Sequence, residues 1–225
     1  MPTYLAILIG VGVVAAIIVL SVTKQRAKSK EQAEAVARVG FRPCPERAAW
    51  LKETVIGIEN NKGYRYDIQK ARWIAGPSTV YLYTKRRDST DQDTPFAEEE
   101  LLFQLRRPAK GTIFLVVKSS AIQPGLATRL ISEVAAGPWD AQPDDLVKLE
   151  VPPDLQNTNV LAALGPKGSS FYGLIEPGAV SVFQGIGDAG GMFVRMRGEW
   201  CTISNTSYQV PFRVDQVVER MRPLI

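Results

Sequence analysis

Histidine is absent from all 225 residues of the chain. That excludes Ser–His–Asp and Cys–His nucleophilic catalysis, H-E-x-x-H hydrolysis and any zinc site built on imidazole. Cysteine is nearly as scarce. Cys44 and Cys201 are the only two, too few for a Cys₄ metal site or a disulfide-built scaffold. No G-x-x-x-x-G-K-[ST] stretch occurs, so nothing cradles nucleotide phosphates in the P-loop manner. The sequence therefore offers no catalytic, cofactor-binding or metal-ligating set, and the expectation is a protein that binds and does not catalyse. An enzyme would need carboxylates or a Lys/Ser pair brought together by folding. Lys118 with Ser119 or Ser120 suits poorly, because adjacent strand residues point to opposite faces.

One segment is strongly informative. Residues 4–22 form an apolar run without a single charge, and Lys24, Arg26, Lys28 and Lys30 follow at once. Roughly 19 residues at 1.5 Å each match the ~30 Å hydrocarbon layer of a bilayer. A secretory signal peptide is the competing reading. It would need a basic leading region, a shorter apolar stretch and a small-residue cleavage site. Met1-Pro2-Thr3 carries no Lys or Arg, and Ser21-Val22-Thr23 is not an A-x-A site. The pattern predicts a short tail at 1–3 and a single transmembrane helix at 4–22. Gly10, Gly12, Ala15 and Ala16 are ordinary in such a helix, although small residues also permit close helix approach.

Orientation follows from charge. Lys and Arg flanking a span stay cytoplasmic, which predicts the N-terminus outside and the folded region in the cytoplasm. Residues 23–47 hold seven basic and three acidic side chains, a surplus equal to the whole net charge of +4. The remainder is neutral, so the positive charge is a juxtamembrane property and no nucleic-acid footprint. Lys24, Arg26, Lys28 and Lys30 are the candidate headgroup contacts. In a reducing cytoplasm both thiols stay free; export of the domain would instead allow a Cys44–Cys201 bridge.

A polar, alanine-rich helix at 23–39 ends at Gly40 and reads as a stalk over 23–40 that does not join a core. Residues 41–225 read as the globular α+β part, mostly antiparallel, with two halves of similar pattern (41–138 and 139–225) as a further reading. The first half predicts a helix at 45–59, with Trp50 or Leu51, Val55 and Ile58 on one face. Strands follow at 64–74, 80–87, 99–107 and 112–118, then a helix at 124–135. The second half predicts a strand at 146–151 and a helix at 157–164. Strands at 171–175, 179–184, 192–197 and 199–204 lead to a last helix at 212–222, whose Val214, Val217, Val218 and Met221 share a face.

The remaining motifs weigh toward structure. Gly185-Ile186-Gly187-Asp188-Ala189-Gly190 matches G-x-G-x-x-G, but a strand follows where a dinucleotide site needs a helix N-terminus. It reads as a loop between strands. Asp88, Asp91 and Asp93 miss the calcium-loop spacing. Glu98-Glu99-Glu100 reads as an exposed strand start. Trp50, Trp73, Trp139 and Trp200 read as core or interface anchors. Cys201 reads as buried and inert, Cys44 as the more exposed thiol. Lys85-Arg86-Arg87 and Arg106-Arg107 fall on what reads as one hairpin and form a candidate patch for an anionic partner or headgroup.

The expectation is a single-pass, membrane-anchored, cytoplasm-facing binding or assembly module. Its partners are the bilayer and another membrane or cytoplasmic protein. The alternative is a tethered small-molecule or lipid-binding domain, with a pocket between sheet and helices.

Overall fold

The computed structural model describes residues 23, 30–60, 64–74, 79–89, 96–117, 146–156, 160–191, 193–205 and 212–225. The apolar run at 4–22, the side chains of Lys24, Arg26 and Lys28, the helix expected at 124–135 and Trp139 lie outside these residues. Among the described residues no helix is long and apolar enough to cross a membrane.

Among the described residues nine strands form one sheet, paired antiparallel throughout, in the order β1-β2-β3-β4-β9-β8-β5-β7-β6. They are β1 (Arg42–Pro43), β2 (Tyr64–Ile74), β3 (Val80–Ser89), β4 (Phe96–Gln104), β5 (Ile113–Val117), β6 (Leu146–Lys148), β7 (Val160–Pro166), β8 (Phe193–Arg197) and β9 (Trp200–Ser204). The helices are α1 (residues 30–39), α2 (Ala48–Glu59), α3 (Pro153–Gln156), α4 (Phe171–Leu174), α5 (Pro177–Asp188) and α6 (Val214–Met221). Because β5 lies between β8 and β7, strands from either side of residue 138 interleave in the single sheet.

Alternation along the strands sends side chains to two separate cores. One face carries Leu82, Leu101, Phe103, Leu115, Val194 and Ile203, packed with Phe183 and Ile186 of α5 and Val217 and Met221 of α6. The opposite face carries Ile68, Tyr81, Tyr83 and Leu102 under Leu51, Val55 and Ile58 of α2. Fully burying each such side chain is worth about 1.5–3 kcal/mol. The face of α2 is the one its spacing implies. Pro45 opens the preceding turn, and Asn60 in the left-handed region (φ 46°) closes the helix.

Four expectations are corrected. Of the helix expected at 157–164, the described part from Val160 is strand β7: Val160-Leu161-Ala162-Ala163-Leu164 is too short an apolar run for periodicity to decide, and pairing with β5 and β6 decides it. The strands expected at 171–175 and 179–184 are α4 and α5. Ser170 caps α4, its hydroxyl accepting from the Gly173 N–H at 3.2 Å, and Pro177 opens α5. Val180, Phe183, Ile186 and Gly187 form the buried face of α5, so its β-branched residues misled by propensity alone. The glycine-rich stretch is consequently the end of α5, not a loop between strands. Gly185 there makes room for Arg220, whose guanidinium donates to the Gly185 carbonyl.

The fourth correction concerns α1. Ala35 and Val36 are buried, Val36 within the larger core, and Arg38 donates to Asp215 of α6 at 2.9 Å. The last turns of the expected stalk are thus docked on the domain. Two boundaries also move: β4 runs over Phe96–Gln104 where 99–107 was expected, and β6 stops at Lys148.

Candidate functional site

Two arrangements of polar side chains stand out, and they differ in access. The first is buried under the C-terminal end of α2. Lys85 on β3 points to the same face as Tyr81 and Tyr83, and the register sets it opposite Glu98, with Tyr83 opposite Glu100. Its ammonium lies 2.9 Å from Glu98, 2.9 Å from Glu100, and in contact with Glu59 of α2. Arg195 on β8 reaches Glu100 at 3.1 Å and Glu59 at 3.5 Å, and the Tyr83 hydroxyl donates to Glu100 at 3.0 Å. Tyr66 flanks Lys85; Phe114 and Phe193 flank Arg195.

Burial disfavours the charge on Lys85, but Glu100, Glu59 and Glu98 more than offset it and hold its pKa above the usual lysine value. The Tyr83 hydroxyl is pushed well upward by burial and by the neighbouring Glu100 carboxylate. Lys85 and Glu100 are 0 % exposed and Arg195 is 7 % exposed, so the network presents no face to a ligand. Its chemistry is cohesive: it ties α2 to three strands.

The second arrangement is open to solvent. A cleft of about 270 Å³ lies where the β4–β5 connection meets the α4–α5 corner and the chain segment after α6. Backbone hydrogen bonds hold that connection in place: Leu105 N–H to Glu199 O at 2.8 Å, Arg106 N–H to Leu224 O at 2.9 Å, and Ala109 N–H to Gly198 O at 2.7 Å. Gly111 passes so close to Leu174 that a Cβ there would sit 2.7 Å from its Cδ2. Leu174, Ile175, Ala179, Met196 and Leu224 make an apolar floor, while Arg106, Arg107 and Lys110 are exposed on the rim. Glu176 is the acidic residue of the lining, 3.9 Å from Arg107. The N-terminal end of α5, where Glu176 holds the N-cap position without a side-chain capping bond, adds the positive end of its dipole.

The predicted basic patch is therefore divided. Lys85 is not on the surface but inside the charge network, and Glu98 and Glu100, expected as exposed, are buried with it. Arg86 is exposed, opposite Ala97. Arg106 and Arg107 lie beyond the other end of the hairpin, past Phe103, which pairs with Val80; at ~3.3 Å per residue Arg86 is roughly 20 Å from that pair, and Arg106 and Arg107 come after it. Arg87 occupies a β3 register position opposite Phe96. Lys30 is exposed and pairs with Glu34 at 3.9 Å. Cys44 is also corrected. It is fully buried, and burial, with the Glu46 charge, raises its pKa despite Arg47. Cys201 is buried as expected, its pKa raised by burial and by Glu100. The two thiols are free and belong to different cores. Trp50 packs tilted against Tyr81 and edge-on against Trp200 at centroid distances of 5.2 and 5.3 Å, and Trp73 packs against the same core.

Lys110, Glu176 and the apolar floor were not singled out by sequence. The legible signal was Arg106-Arg107-Pro108, a basic pair leaving a strand at a proline. The floor was hidden because 171–175 read as a strand.

No known protein family and no curated protein matches the chain. Among solved structures it is similar to the crystal structure of the mycobacterial trehalose monomycolate transport factor A, TtfA. The match has 8 % identity and a TM-score of 0.42, and covers 89 % of this chain and 97 % of that one. A likeness of this degree leaves function to be argued from the residues themselves.

Proposed function

We propose that the chain is a bilayer-tethered binding domain on the cytosolic side of its membrane, with the cleft between the β4–β5 connection and α5 as its ligand seat. The cleft carries this reading. Its apolar floor beside a few convergent charged groups is the make-up of a small-molecule or lipid site. Its volume, about 270 Å³, is near the lower limit of ~300 Å³ for such sites and suits part of a ligand better than a protein surface. Of the two binding roles open to the sequence, a pocket is thus favoured over a protein-assembly surface.

The tether rests on the uncharged run at 4–22 and the cations after it. Lys24, Arg26, Lys28 and Lys30 would lie on anionic headgroups, each worth about 1 kcal/mol. The docking of α1 on α6 would then hold the domain near that surface.

Native mass spectrometry of the full chain, extracted in a neutral detergent, tests the seat. The expected result is a bound adduct that Ala179→Trp, which fills the cleft, removes. A wild-type chain without adduct, or an adduct unchanged by Ala179→Trp, contradicts it.

A further inference from the structure

From the rim and floor of the cleft we infer the ligand class: an anionic lipid, whose phosphate-type head is gripped by Arg106, Arg107 and Lys110 while the first methylenes of one chain lie on Ala179 and Leu224, the half-buried residues of the floor. This rests on the cleft being the ligand seat and names what fills it. Three cations face one carboxylate across the cleft, and Arg107 meets Glu176 only at 3.9 Å, on a rim where both side chains are largely exposed. Such a contact is weak. A phosphate, with three or more acceptor oxygens, would draw Arg107 from Glu176 and take both guanidinium forks in paired hydrogen bonds.

A free anion would leave the apolar floor unused. Ala179 and Leu224 are half-buried, and a chain laid across them removes further apolar surface from water. The volume limits how much is taken up: a head and a few methylenes fit, whereas whole acyl chains do not. The rest of the chain must therefore leave the cleft, as it would if the lipid stayed rooted in a bilayer.

The test uses the full chain in phosphatidylcholine nanodiscs, with hexyl phosphate and inorganic phosphate as probes followed by phosphorus NMR. Each buried methylene strengthens binding about fourfold, so hexyl phosphate should bind at least about tenfold more tightly than inorganic phosphate. The pair Arg106→Glu and Arg107→Glu should weaken hexyl phosphate about tenfold or more. Arg106→Ser, a milder change at an exposed position, should act in the same direction. Glu176→Gln should tighten it, since the competing carboxylate is gone. Ala179→Trp should abolish the preference for the alkylated probe.

Equal affinity for the two probes would overturn the inference, as would hexyl phosphate binding unchanged by the charge reversals. In either case a native adduct still removed by Ala179→Trp would leave the ligand seat standing for another class of molecule. Loss of that adduct's dependence on Ala179→Trp would instead remove the seat itself.

Discussion

Lys85 shows how much one side chain can be asked to hold. Its ammonium sits among Glu59, Glu98 and Glu100 with no exposure to water, so Lys85→Met removes a buried cation and leaves Arg195 to offset these carboxylates. Breaking a buried pair in this way costs about 3–5 kcal/mol, which denaturant titration of the full chain in detergent should register; a cost under about 1 kcal/mol would contradict the network. Glu99, the neighbour on the other face of β4, behaves oppositely. Burial raises its pKa above the ordinary 4.5, and nearby Lys70 and Arg72 only partly restrain it. A carboxyl whose folded pKa exceeds its unfolded one binds its proton more tightly in the native state, so its contribution to stability falls as pH rises through that window. Glu99→Gln should therefore melt higher than wild type at pH 7, and the difference should close on acidification below about 4.5. A difference that is constant with pH would rule out titration as its source. The two thiols offer a simpler check. Both are buried with raised pKa values, so neither should react with a maleimide until the chain is denatured.

At the level of elements, sequence legibility depended on how much each segment's pattern owes to its own residues. The helix α2 and strands β2, β3, β5, β8 and β9 carry their period over enough residues, or in a distinctive enough β-branched run, to be read directly. The elements expected between Val160 and Asp188 are of the other type. Alanine and leucine in β7 mimic a helix, and Val180 and Val182 in α5 mimic a strand; pairing and packing override both. The caps that could have corrected this, Ser170 before Gly173 and Glu176-Pro177, are local signals outweighed by the apolar pattern. Gly165 shows the same dependence on packing. A Cβ there would lie 2.6 Å from Leu174 Cδ1 and 2.8 Å from Leu149 Cδ1, so Gly165→Val should cost about 1–3 kcal/mol by overpacking. Of the cleft, only Arg106 and Arg107 were visible in advance, because its floor is assembled from β8, the α4–α5 corner and the segment after α6. The docking of α1 was hidden for a related reason: Val36 and Val39 are sparse apolar anchors in an alanine-rich helix. Val36→Asp should release α1, seen as rapid proteolysis at residues 30–40 while the core stays resistant; unchanged resistance there would contradict the docking.

For the whole molecule, the antiparallel sheet separates two jobs. Its α2 face is locked by a buried charge network, and beside its other face, near the N-terminal end of α5, lies the basic-rimmed cleft described above. The proposed tether at 4–22 would set that cleft within reach of lipid headgroups, and under the same proposal the flanking cations would keep the domain on the cytoplasmic side. Because both native thiols are buried, a single cysteine placed by Lys167→Cys in the exposed turn after β7 becomes a clean reporter of side. The decisive measurement is labelling of that variant in intact cells with a membrane-impermeant maleimide, followed by alkaline carbonate washing of the membranes. The account predicts a chain that stays in the membrane pellet and is labelled only after the cells are opened. A chain released by the wash, or labelled from outside, would contradict it.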